Sequence, residues 1–100
     1  MGALTGQTAS AAGHVRLRYW ASARAAAGVE EDVVEVTGPV TLATLCDRAR
    51  DLHRESYRFA TVLSTCSVLV GDRPVASGDP ASVDVEPGET VEFLPPFAGG

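Results

Sequence analysis

The 100 residues contain no lysine; the eight basic side chains are all arginine, set against 13 acids for a net charge of -5. A chain with surplus acid and no clustered basic face cannot neutralise a phosphate backbone, which excludes nucleic acid as a partner class. Aromatics are scarce, at 6%, so a core must be assembled mainly from Val, Leu and Ala. Cys46 and Cys66 are too few for a disulfide framework and too far apart for a metal-binding pair. They stand as one disulfide or two reduced thiols. No glycine-rich stretch carries a lysine, which removes the phosphate-cradling loop of nucleotide hydrolases. No apolar run approaches the roughly 20 residues of a membrane span. The start lacks a basic stretch followed by an apolar one, so no signal peptide is read there and a cytoplasmic location is expected.

What is present is enough for one domain. Apolar residues make up 45% of the chain, sufficient for a single modest core at this length. Residues 1–14 are small and polar and read as an N-terminal arm, with the domain expected over 15–94 and a tail over 95–100. Val15, Leu17 and Tyr19 alternate with Arg16, Arg18 and Trp20, the period of a half-buried strand. Ala21 to Ala27 reads as a short helix stopped by Gly28. Asp32 to Thr37 forms a second strand with Val34 and Val36 on one face.

Thr41 is placed to cap a helix whose apolar stripe is Leu42, Leu45, Cys46, Ala49, Leu52 and His53. Residues 55–65 suit either an extension of that helix or an irregular connection. Ser67 to Val70 makes a strand, Gly71-Asp72 a turn, and Arg73 to Ala76 a short return strand kept to an edge by Pro74. Glu86-Pro87-Gly88-Glu89 fits a type II turn. Thr90 to Leu94 is the last strand, with Val91 and Phe93 on one face. This order of strands around one main helix is that of a β-grasp, an α+β fold with a mixed sheet.

The interior offers no catalytic constellation. His14 sits at the edge of the arm and His53 beside the helix stripe, both read as structural or incidental, and no Cys/His spacing suits a metal. The chemistry lies at the end of the chain. Pro95 and Pro96 stop strand pairing and hold the backbone extended. Ala98, Gly99 and Gly100 have almost no side chain, so a narrow channel in a partner can accept them and the terminal carbonyl is open to attack. Six residues, 95–100, reach about 20 Å. Leu94, Phe97 and Phe93 are candidates for partner contact beside the tail, with Glu89 and Glu92 at the rim. Asp72, Asp79, Asp84, Glu86, Glu89 and Glu92 face Arg73 alone in this half, which suits either a basic partner surface or plain solvation.

Two motifs resemble the MoaD/ThiS family of sulfur carriers, most closely its molybdopterin-synthase branch, over about Val15 to Gly100. They are Tyr19-Trp20-Ala21-Ser22-Ala23-Arg24 with Ala27-Gly28, and Leu94-Pro95-Pro96-Phe97-Ala98-Gly99-Gly100. The resemblance implies that an ATP-dependent, MoeB-like activating enzyme adenylates the Gly100 carboxylate, which then becomes a thiocarboxylate. It implies a MoaE-like large subunit as partner in a heterotetramer, which supplies the catalytic side chains while sulfur passes to cyclic pyranopterin monophosphate in molybdenum cofactor synthesis. The chain would bind no cofactor itself and would not be catalytic alone; ATP is used by the activating enzyme. Two other readings stay open: a carrier of the same fold serving thiamine or cysteine synthesis, and a ubiquitin-like protein modifier or interaction module.

Overall fold

A computed structural model describes residues 13–75 and 79–96. Strand β1, Gly13–Tyr19, buries every second side chain, Val15, Leu17 and Tyr19, as its alternation requires. It begins two residues before the expected boundary. Gly13 and His14 belong to the strand rather than the arm, because they pair with Val36 and Glu35 of the neighbouring strand. Gly13 also lets another segment approach, since a Cβ there would lie 2.9 Å from that of Pro87. Residues 1–12, the rest of the arm, lie outside the described residues.

Helix α1, Ala21–Ala27, ends at Gly28, whose φ of 81° places it in the left-handed region; its N–H reaches the Arg24 carbonyl at 2.9 Å. Strand β2, Glu31–Val36, returns antiparallel to β1 with Val34 and Val36 buried and Val33 exposed. A two-residue strand β3, Val40–Thr41, leads into helix α2, Leu42–Leu52. The Thr41 hydroxyl accepts the Thr44 N–H at 3.1 Å, the cap its position suggests.

Leu42, Leu45 and Ala49 of α2 are buried, but Leu52 is 55% exposed, contrary to the expected stripe. The helix ends at Leu52, and His53 turns in over the sheet instead, its ring 5.6 Å from that of Tyr19. The open stretch 55–65 resolves into a turn and a separate short helix α3, Phe59–Ser64, which buries Phe59 and Leu63 four residues apart.

Strand β4, Ser67–Val70, turns at Gly71 (φ 64°) into β5, Arg73–Pro74, at the sheet edge where proline's missing N–H is tolerated. The strand expected to run to Ala76 is shorter, and Ala76 itself lies outside the described residues. A 3-10 turn at Pro80–Ser82 is capped by Asp79, and β6, Asp84–Val85, pairs with β3 in a small second sheet. The Glu86–Glu89 turn forms as expected, with Gly88 at φ 95° and the Glu89 N–H on the Glu86 carbonyl at 3.1 Å. It feeds β7, Thr90–Leu94.

The main sheet has the order β2-β1-β7-β4-β5, with β7 parallel to β1 and antiparallel to β4. Strand β7 therefore lies in the middle of the sheet, paired on both sides, and the tail starts from that fixed point. The buried cluster joins Val15, Leu17, Val34, Val70 and Val91 of the sheet to Leu42, Leu45 and Ala49 of α2. Its aromatic centre is Tyr19, stacked on Phe93 at 5.9 Å and edge-on to Phe59 at 5.4 Å. The pairing and the helix crossing the sheet are those of a ubiquitin-like β-grasp. Among the described residues, no helix is long and apolar enough to cross a membrane.

Candidate functional site at the root of the tail

The last strand hands the chain to Pro95 and Pro96 at a point held from both sides. Tyr19 pairs with Phe93 in the parallel ladder, and the Trp20 N–H continues it to the Phe93 carbonyl at 3.2 Å. On the other flank Ser67 faces Leu94. Pro95 is half-buried and Pro96 exposed, so the chain leaves the surface between them. Phe97, expected to contact a partner, and Ala98, Gly99 and Gly100, the threading and reacting residues expected from sequence, lie outside the described residues.

Beside this exit Trp20, Ala21, Leu94 and Pro95 line an open apolar groove of about 400 Å³. Tyr19 points into the core, so the next residue, Trp20, faces outward and is 39% exposed. Its ring is held in place from two sides. The indole N–H donates to Glu92 Oε1 at 2.9 Å, and the Arg18 guanidinium lies 5.2 Å from the ring centroid. Ala21 takes φ 49°, the left-handed region that costs a residue with a Cβ about 1 kcal/mol or more, and this turns the strand sharply into α1 below the groove.

The sequence-derived contact residues separate here. Leu94 is half-buried and opens into the groove, whereas Phe93 is fully buried against Tyr19 and cannot touch a partner. Phe93 is a core residue because strand alternation sends it to the helical side of the sheet. Of the two rim acids, Glu92 borders the groove through Trp20. Glu89 lies at the far end of β7, bound to Arg73 at 2.8 Å and accepting the Glu86 N–H at 2.9 Å. Trp20 is the groove residue that sequence reasoning did not place beside the tail. Its signal was an outward tryptophan at the end of a strand whose other face is core.

Other reactive groups are arranged for packing. Cys46 and Cys66 are both free thiols that line a groove with Leu63, Val68 and Phe93. Burial raises the Cys46 pKa and pushes Cys66 up to about 11, which disfavours the nucleophilic thiolate at both. His53 Nε2 lies 2.5 Å from Asp32 Oδ2, and the Tyr19 hydroxyl donates to the same oxygen at 2.8 Å. Burial, then the Asp32 carboxylate, drives the Tyr19 phenol well above its usual range. Among the described residues no thiol or aliphatic hydroxyl bonds to this cluster, whose contacts join the end of α2 to β1 and β2. Among the described residues no group of three or more His, Cys, Asp or Glu side chains is placed to hold a metal ion.

The family model of ThiS matches residues 17–100, from inside β1 to the final glycine. No curated protein matches the chain. Solved structures with the same fold include the HVO 2177 protein of Haloferax volcanii, 25% identical with a TM-score of 0.67 over 90% of this chain and 89% of that one. Another is SAMP1 from Haloferax volcanii, at 20% identity and a TM-score of 0.70, covering 88% and 100%. A third is the complex of subunits 1 and 2 of the molybdopterin-converting factor from Helicobacter pylori, where the match is 20% identical with a TM-score of 0.56 over 87% and 99%. With the family model spanning the tail as well as the sheet, the chain belongs to the ThiS family, with the β-grasp fold shared by MoaD-like sulfur carriers and ubiquitin-like modifiers.

Proposed function

We propose that this chain is the sulfur-carrying small subunit of a molybdopterin synthase, working through its Gly100 carboxylate. The observation that carries the reading is the placement of the tail's root. Pro95 and Pro96 leave the central strand beside an apolar groove, and the family match runs on in sequence through Phe97-Ala98-Gly99 to Gly100.

A carboxylate does not accept sulfur until it carries a good leaving group. An ATP-dependent, MoeB-like activating enzyme joins AMP to Gly100, and a sulfur donor displaces the AMP to leave a thiocarboxylate. Pro95 and Pro96 project the tail, and Ala98 and Gly99 are slim enough to thread the partner's channel. Leu94, Phe97 and Trp20 seat the partner beside it. The likeness to subunit 1 in the two-subunit converting-factor complex supports a MoaE-like large subunit as that partner, paired as a heterotetramer. Sulfur then passes to cyclic pyranopterin monophosphate, with the acid and base groups supplied by the large subunit. The chain itself binds no cofactor, is not catalytic alone and works in the cytoplasm. Residues 13–94 act as the platform and 95–100 as the reacting tail.

A second reading, a ubiquitin-like modifier joined to protein amines, is favoured by the likeness to SAMP1. Reconstitution separates the two. With an activating enzyme, ATP, a sulfide source and a large subunit, thiolation of the pterin precursor supports the carrier. Stable conjugates to protein lysines without thiolation support the modifier.

A further inference from the structure

Arg18 stands on the outer face of the sheet between two carboxylates and bonds to neither. The strand register puts it opposite Glu31 on one side and Glu92 on the other. Both acids are engaged elsewhere. Glu31 takes Arg16 on Oε2 at 2.6 Å and leaves its Oε1 3.9 Å from Arg18 Nε, too long for a hydrogen bond. Glu92 Oε1 accepts the Trp20 indole N–H at 2.9 Å. Among the described residues Arg18 finds no hydrogen-bond acceptor for its side chain, and its Nε is buried without a partner.

The rest of that side chain is open. It is 39% exposed as a whole although Nε is buried, so the exposure lies elsewhere along it. The guanidinium carbon lies 5.2 Å from the centroid of the Trp20 ring. The same ring lines the apolar groove with Ala21, Leu94 and Pro95. A cation with unspent donors and an apolar groove thus share one tryptophan at the root of the tail. A guanidinium carries five N–H donors in a fixed fork that fits a carboxylate through two bonds at once. Contact with an aromatic ring steadies the charge but uses none of those donors.

We propose that Arg18 and the Trp20 groove form one composite recognition site, in which the partner seats an apolar side chain in the groove and an Asp or Glu carboxylate on the Arg18 fork. This rests on the reading of a large subunit as the partner. The chemistry of the site selects the occupant. A lysine or arginine brought there would meet the Arg18 charge while both nearby acids hold other donors. A neutral amide offers one acceptor oxygen and uses part of the fork. A carboxylate offers two oxygens, and the apolar wall of the groove excludes water beside the pair, which strengthens it. The groove supplies contact area, and Arg18 decides which surfaces are accepted on it.

The test is titration calorimetry of the full chain against a MoaE-like large subunit from the same organism, at low and high salt, with Arg18→Gln and Arg18→Lys as variants. Circular dichroism confirms that each variant is folded. Arg18→Gln is expected to bind about tenfold more weakly, the scale of a hydrogen bond to a charged group, and to lose part of the salt dependence. Arg18→Lys keeps the charge without the fork and is expected to fall between. Acids of the large subunit are then changed to amides one at a time. One of them is expected to match the loss of Arg18→Gln and to add little to it, because either change removes the same pair. Two results would overturn the proposal. One is an Arg18→Gln chain that binds as tightly as the unchanged chain. The other is a weaker Arg18→Gln complex with undiminished salt dependence and no matching acid, which would reduce Arg18 to a support for the Trp20 ring. Failure of the carrier reading looks different: the unchanged chain itself does not bind the large subunit, and both readings fall together.

Discussion

The Nε2 of His53 lies 2.5 Å from Oδ2 of Asp32, and this contact joins the end of α2 to an edge strand of the sheet. The same oxygen receives the buried Tyr19 hydroxyl at 2.8 Å. Asp32→Ala leaves that hydroxyl without a partner, and a buried unsatisfied polar group costs about 1–3 kcal/mol. The expected outcome in urea unfolding is a loss of that order, with sulfur acceptance at Gly100 unchanged in the folded fraction. Unaltered stability would mean the cluster is not a structural tie.

Phe93 and Leu94 are neighbours with opposite duties. Phe93→Ala opens a cavity against Tyr19 and is expected to cost about 3–5 kcal/mol in denaturant unfolding. Leu94→Ala and Trp20→Ala touch only the outer groove and are expected to stay folded while weakening binding to the large subunit. For Trp20 the loss should reach about 2 kcal/mol, the scale of a central aromatic contact. Titration calorimetry with the large subunit checks this, and full affinity in Trp20→Ala would move the interface elsewhere.

The Cys66 thiol, raised by burial from 9.0 to about 11, sets two pH expectations. Two pKa units lower the thiolate fraction about a hundredfold, so alkylation near neutral pH should be slower than for an unfolded chain by roughly that factor. The unfolded thiol ionises first as pH rises. The stability Cys66 contributes is therefore complete below about 9 and is lost as pH climbs to about 11. Cys66→Ala should flatten that part of the stability profile, and an unchanged slope would contradict it.

Gly13 is expected to resist substitution although it lies at the start of the first strand. Its added Cβ would stand 2.9 Å from the Pro87 Cβ, with the Gly88 N–H bonded to the His14 carbonyl at 2.7 Å beside it. Gly13→Ala should cost about 1–3 kcal/mol, the usual scale for an overpacked contact. A neutral effect in thermal unfolding would show that the turn shifts freely.

Much of this fold was legible because its signals are local. The alternation of Val15, Leu17 and Tyr19, the Thr41 cap and the Pro87-Gly88 turn each rest on a few adjacent residues. The features that escaped depend on distant partners. Nothing near Leu52 reveals that His53 will fill the space over Tyr19, and nothing near Glu89 reveals that Arg73 will claim it. The site divides the same way. Leu94 and Pro95 were visible from the end of the strand, while Trp20 joins them only through the parallel register of β1 with β7. Its groove is a product of topology, which periodicity does not encode.

The most direct test is the intact mass of the full chain after incubation with ATP, an activating enzyme and a sulfide source. Replacement of one oxygen by sulfur, mapped to Gly100 and absent from a chain lacking Gly100, is the predicted result. An unchanged mass with several activating enzymes, from a folded chain, would contradict the carrier role.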